Sequence, residues 1–178
     1  MHDDVKSIIF SEEDINQKVA EMGRAISEKY ESVYIIAILK GSFIFLADLV
    51  RAIDKPVKVD FMVLSSYGSG TKSTGAVKIL KDLDNDVTGK KLLIVEDIVD
   101  TGRTLNYLSE VLYARGAESI EICTLLDKPK SRVRMVDVDY CGFTAPDEFL
   151  VGYGLDYNEI YRNLPYIGAL DTEKLNIT

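Results

Sequence analysis

The chain has 178 residues, 47% of them hydrophobic, and a formal net charge of −8. That length and composition predict one domain, spanning 1–178, able to fill a sizeable core. The acidic balance argues against an extended DNA or RNA surface, where counterion release rewards lysine and arginine. MHDDVKSIIF is no basic leader and no apolar run approaches membrane-spanning length, so the expectation is a cytoplasmic chain without a membrane partner.

In chain order, Ser11 with Asp14 resembles a capping box, and Ile15, Val19, Met22, Ile26 and Tyr30 recur at helical spacing. Val33 to Leu39 reads as a buried strand, Lys40-Gly41-Ser42 as a turn and Phe43 to Ile53 as a helix. Val57, Val59, Phe61 and Val63 alternate with more polar residues, which predicts a strand with that face buried, and Val77 with Ile79 suggests its partner. Between them SSYGSGTKSTG lacks the Gly-x-x-x-x-Gly-Lys-Ser/Thr spacing of a nucleotide P-loop. Gly68, Gly70 and Gly75 instead suit a mobile flap over about 65–76. A strand and helix follow over 91–115, closing at Gly116, then a strand over roughly 119–126, with loops and short strands beyond. The alternation predicts an α/β fold, a mostly parallel, doubly wound sheet with a small appended cap. Cys123 and Cys141 each lie in a strand-like run and are expected to be buried, reduced thiols. The single histidine, His2, argues against histidine catalysis or a histidine-rich metal site.

The segment LLIVEDIVDTGRTL, residues 92–105, is the most informative. Leu92 to Val95 is a short apolar strand, and Glu96 and Asp97 are expected to emerge at its carboxyl edge, where ligands bind in open α/β sheets. Thr101, Gly102, Arg103 and Thr104 form a small, hydroxyl-rich turn opening a helix, whose free N–H groups suit an anion. Glu96, Asp97 and Asp100 beside an anion site would repel it unless sugar hydroxyls or Mg²⁺ intervene. Acids for hydroxyls and a turn for phosphate describe a ribose phosphate ligand.

VEDIVDTGRT resembles the phosphoribosyl pyrophosphate motif of type I phosphoribosyltransferases, in its bacterial hypoxanthine-guanine form. The resemblance runs from Lys40 to Arg162 and implies the fold of that family, with a hood over the site. It implies that residues 101–104 bind the 5′-phosphate, that Glu96 and Asp97 hold the ribose hydroxyls directly or through Mg²⁺, and that Asp100 accepts the purine proton. Lys40, Gly41 and Arg162 would bind pyrophosphate, the turn at Lys40-Gly41 often holding an unusual cis peptide. Ser66 and Tyr67 match hood positions. LLDKP and EFLVGYGLDY would form the base pocket: Lys128 donating to the exocyclic oxygen of an oxopurine, Phe149 stacking on the ring and the backbone of Val151 reading its edge. Asp156 would approach the base and, with Glu96 and Asp97, help hold the metal.

The implied reaction is Mg²⁺-dependent transfer of a phosphoribosyl group from phosphoribosyl pyrophosphate to hypoxanthine or guanine, by a homodimer or homotetramer. A xanthine-preferring enzyme is the alternative within the class. Outside it stands an RNA-binding attenuation regulator on the same fold, disfavoured by aspartate at position 100, by Lys128 and by the acidic charge. A Rossmann dehydrogenase lacks its Gly-x-Gly-x-x-Gly motif.

Overall fold

The computed structural model describes residues 2–66 and 77–175, with the backbone alone at Ser66. In chain order the elements are β1 (Val5–Phe10), α1 (Glu12–Lys29), β2 (Val33–Leu39), α2 (Phe43–Ala52), β3 (Val57–Ser66), β4 (Val77–Lys81) and β5 (Lys91–Val99). Then come α3 (Arg103–Ala114), β6 (Ser119–Asp127), a 3₁₀ turn at Pro129–Ser131, β7 (Tyr140–Thr144), β8 (Leu150–Val151) and β9 (Ile167–Leu170).

A six-stranded sheet has the order β4-β3-β2-β5-β6-β7. All its neighbours run parallel except β3 and β4. Its central strands are apolar because both faces are covered. One face packs Ile35, Ala37, Leu93 and Val95 against Ile15, Val19 and Met22 of α1 and Phe45 and Leu49 of α2. The other packs Ile36, Ile38, Leu92 and Ile94 against Leu105, Leu108 and Leu112 of α3. Each such side chain, fully buried, contributes about 1.5–3 kcal/mol. The doubly wound expectation therefore holds, and the carboxyl ends of β2, β5 and β6 share one edge.

The first helix begins as its sequence directs. The Ser11 hydroxyl accepts from the Asp14 amide at 3.1 Å and the Asp14 carboxylate accepts from the Ser11 amide at 3.0 Å. α2 starts with Ser42, buried, whose hydroxyl donates to the Ile38 carbonyl at 2.5 Å and ties the turn back to β2.

Four expectations change. β5 runs on through Glu96 and Asp97 to Val99, so the two acids lie within the strand, not beyond it. In β3 the face of Val57, Val59 and Phe61 packs against the core as expected, but the opposite face is covered too, and its Asp60 and Met62 are the most buried side chains. Asp60 is tolerated there because the amides of Phe61, Asp84 and Asn85 all donate to it. Cys123 is buried, but Cys141, on the edge strand β7, is exposed. β1 was not anticipated; it pairs antiparallel with β9 in a separate sheet, β1-β9-β8. Among the described residues no helix is long and apolar enough to cross a membrane.

Candidate active site

Two adjoining clefts open at the carboxyl edge of β2 and β5. The smaller, about 280 Å³, is lined by Glu96, Asp97, Asp100, Thr101, Gly102 and Thr104, with Lys40 and Gly41 on its far wall. The larger, about 790 Å³, shares Lys40, Gly41, Asp97 and Asp100 and adds Lys128, Phe149, Asp156 and Arg162. Residues far apart in the chain thus meet at the edge where the central strands end.

The floor of the smaller cleft is the acid pair of β5. Burial, and then the neighbouring Asp97 carboxylate, push the Glu96 carboxyl well above the usual range. Burial also raises Asp97, against a hydrogen bond from Glu96 and the more distant Arg162. Neither acid forms a salt bridge among the described residues. Two adjacent hard oxygen donors short of positive charge are suited to a hydrated Mg²⁺ or to sugar hydroxyls.

The end of this cleft is the start of α3. Gly102 occupies the N-cap position with φ 76° and no side chain caps the helix. The Arg103 amide donates to the Thr101 hydroxyl at 3.5 Å, and a helix start at the cleft edge suits an anion. Positive φ suits glycine here, and a Cβ would also run into the Arg134 carbonyl behind it. Thr101 and Thr104 line the cleft, whereas Arg103 is exposed and outside the lining. Asp100 is exposed at the junction of the two clefts.

Opposite, the peptide between Leu39 and Lys40 is cis, and Gly41 lies directly against Asp97. The Lys40 ammonium pairs with Glu159 at 3.0 Å. Arg162 reaches Asp156 at 2.8 Å, Glu159 at 3.3 Å and the Gly154 carbonyl at 2.8 Å. Both expected pyrophosphate cations therefore converge on one carboxylate, that of Glu159. Glu159 and Arg162 belong to a loop in which Tyr153, Asn158, Glu159 and Tyr161 have positive φ, a costly conformation that clusters at ligand sites, whereas Lys40 comes from the turn after β2.

On the base side, the Lys128 ammonium donates to the Glu148 carbonyl at 2.7 Å. Phe149 is 42% exposed, leaving a ring face for a stacked ligand, and meets Tyr157 edge-on at 5.5 Å. The side chain of Val151 does not line the cleft. It is fully buried with Val5, Tyr161 and Leu170, and opposite Gly168 in the small sheet. Nor are Glu96, Asp97 and Asp156 gathered into one metal cluster: among the described residues no group of three or more acids, cysteines or histidines could hold an ion. Asp156 is turned toward Arg162 and the Glu159 amide. Tyr67 and the hood from 67 to 76 lie outside the described residues, and the Ser66 backbone is paired with Val77.

Sequence reasoning missed Glu159 and Arg132. Arg132 donates to the Asp100 carbonyl at 2.8 Å and also bonds the Asp127 carboxylate. The signal was the basic run KPKSRVR in an acidic chain, immediately after a strand that ends at the cleft.

Comparison with known proteins agrees with this geometry. The phosphoribosyl transferase domain family matches residues 7–158. A hypoxanthine-guanine phosphoribosyltransferase of Staphylococcus epidermidis is 51% identical over 175 residues, covering 97% of this chain and 98% of that protein. The bifunctional protein TilS/HprT of Listeria innocua is 49% identical over 97% of this chain, which spans only 27% of that longer relative. The crystal structure of a hypoxanthine phosphoribosyltransferase from Staphylococcus aureus superposes with a TM-score of 0.93 at 48% identity, covering 98% of this chain and 96% of the other. The cleft, the fold and these relatives together make the chain a member of the phosphoribosyl transferase family.

Proposed function

We propose that this protein is a cytoplasmic purine-salvage enzyme that transfers the phosphoribosyl group of phosphoribosyl pyrophosphate to hypoxanthine and guanine, releasing pyrophosphate and forming IMP or GMP. The observation that carries the reading is the shared cleft of Glu96, Asp97, Asp100 and the open start of α3, facing Lys128 and Phe149. The relatives named for this activity support it.

In this reading Thr101, Gly102, Arg103 and Thr104 bind the 5′-phosphate, chiefly through helix amides, while Glu96 and Asp97 hold the ribose hydroxyls. Lys40, Gly41 and Arg162 receive the pyrophosphate, whose negative charge grows as its bond to the sugar breaks. A purine ring nitrogen forms the new bond to the sugar, the pyrophosphate leaves with the old bonding pair, and Asp100 takes the purine proton. Lys128 leaves the Glu148 carbonyl to donate to the exocyclic oxygen, and Phe149 stacks on the ring. Bound Mg²⁺ supplies positive charge against the carboxylates and the departing anion. Glu96 and Asp97 would hold it, and Asp156 would join them only by leaving its pairing with Arg162. The chain acts as one domain whose segment 65–76, with Ser66 and Tyr67, closes as a hood, and it assembles as a homodimer or homotetramer.

The test is an assay with phosphoribosyl pyrophosphate, Mg²⁺ and each of hypoxanthine, guanine, xanthine, adenine and uracil. Nucleotide from hypoxanthine and guanine supports the reading. Product from xanthine alone, or from none of the five bases, refutes it.

A further inference from the structure

Arg132 lines neither cleft, yet its guanidinium ties Asp100, which lines both, to Asp127 at the end of β6. Its side chain is 11% exposed and Nη1 donates to the Asp100 carbonyl at 2.8 Å. Nη2 bonds the carboxylate of Asp127, the last residue of β6, itself beside Val99 in the sheet. The chain around Arg132 reinforces this contact. The Lys128 amide donates to the Val99 carbonyl at 2.9 Å, and the Val133 and Arg134 amides both donate to the Thr101 carbonyl at 2.9 Å. Residues 128–134 therefore form a strap beneath the loop 99–102, and Gly102 packs on that strap.

We propose that Arg132 is a positioning residue for the phosphoribosyl transfer, orienting Asp100 relative to the purine that Lys128 holds. The proposal rests on the reading above. Thr101 keeps its two backbone bonds without Arg132, whereas Asp100 has its carbonyl fixed by that side chain. Loss of Arg132 therefore frees the residue that takes the proton while the phosphate turn stays anchored. A planar fork suits two acceptors set at an angle, and a lysine ammonium replaces it only in part. Because a displacement of about 1 Å can cost about a hundredfold in rate, the effect falls on turnover.

The experiment is a cycle in kcat with Arg132→Lys, Arg132→Gln, Asp127→Asn and Asp100→Asn, each Arg132 or Asp127 change made alone and with Asp100→Asn. Thermal unfolding of every variant is measured alongside. The expected result is a fall in kcat of about tenfold to a hundredfold for Arg132→Gln, with a smaller fall for Arg132→Lys and Asp127→Asn. The KM for phosphoribosyl pyrophosphate should stay within about threefold, since positioning a transition-state group moves kcat. In the Asp100→Asn background the same changes should have little further effect. Multiplicative losses, or losses that follow the folded fraction alone, overturn the proposal and leave Arg132 a fold brace. If Arg132→Gln does not fold, Arg132→Lys and Asp127→Asn decide by the same criterion. Wild-type protein that makes no nucleotide refutes the proposed reaction itself, a different failure from multiplicative losses in an active enzyme.

Discussion

Gly41 and Asp97 are so closely apposed that a Cβ on Gly41 would overlap the Asp97 carboxylate. The carbonyl of Gly41 in turn packs on Gly154, where a Cβ would also collide, and the Gly154 carbonyl accepts from Arg162 at 2.8 Å. The turn after β2, the acid of β5 and the arginine beyond β8 form one stack. Gly41→Ala must therefore push Asp97 or the turn aside. We expect a loss of about 1–3 kcal/mol in stability, as for other overpacked sites. kcat/KM for phosphoribosyl pyrophosphate should fall about tenfold or more. Urea denaturation and steady-state kinetics check this, and a variant matching the wild type in both would show that the stack yields freely.

Asp100→Asn retains the size and backbone contacts of the residue but cannot accept a proton. Turnover should fall by about 10² to 10⁴, the usual worth of general-base help, while nucleotide affinity changes little. Equal turnover would remove Asp100 from its assigned role.

Lys128→Ala tests base selection. Losing a donor to the exocyclic oxygen should cost about 1–3 kcal/mol for hypoxanthine and guanine and nothing for adenine. The ratio of kcat/KM values for hypoxanthine and adenine should fall about tenfold. An unchanged ratio would count against the pocket.

Glu159 engages both Lys40 and Arg162, the two cations assigned to pyrophosphate. Glu159→Gln should release them, so that pyrophosphate binds more tightly. Lys40 and Glu159 are both well exposed, and such pairs are worth about 0–1 kcal/mol, which limits the gain to about fivefold. Titration calorimetry with inorganic pyrophosphate reads it; weaker binding would mean that Glu159 supports the site rather than competes for it.

Away from the cleft, Arg115 grips Asp82 with bonds of 2.6 and 2.7 Å. The guanidinium holds the Asp82 carboxyl below its usual range. A depressed carboxylate stabilises the fold above its unfolded pKa of about 3.9 and loses that contribution as pH falls through the folded value. Asp82→Asn should thus cost under about 1 kcal/mol at pH 7, the pair being largely exposed. The gap to wild type should close below about pH 4 in denaturant titrations. A gap independent of pH would assign the loss to packing.

What could be read in the chain follows from how local each interaction is. The Ser11 cap and the run Val33–Leu39 were legible because four-residue and seven-residue patterns determine them. Glu96, Asp97, Asp100 and the turn after them were legible because a strand, its ligand acids and a helix start are contiguous. β1 was not, since Ile8, Ile9 and Phe10 break the alternation that marks a half-buried strand, and its partner lies at the other end of the chain. Asp60 looked like an outward polar residue because the amides that satisfy it lie 24 and 25 residues away. Arg132 acts on a carbonyl 32 residues distant, and no spacing rule reports such a bond. The side chain of Val151 turns into the core because β8 pairs with β9, a contact that its neighbours in sequence do not report.

The most direct test of the central claim is a crystal structure of the protein with inosine 5′-monophosphate, Mg²⁺ and pyrophosphate. The account predicts the phosphate on the amides at the start of α3, ribose hydroxyls within reach of Glu96 and Asp97, and pyrophosphate between Lys40 and Arg162. A sugar phosphate bound elsewhere, with residues 96–104 untouched, would contradict it.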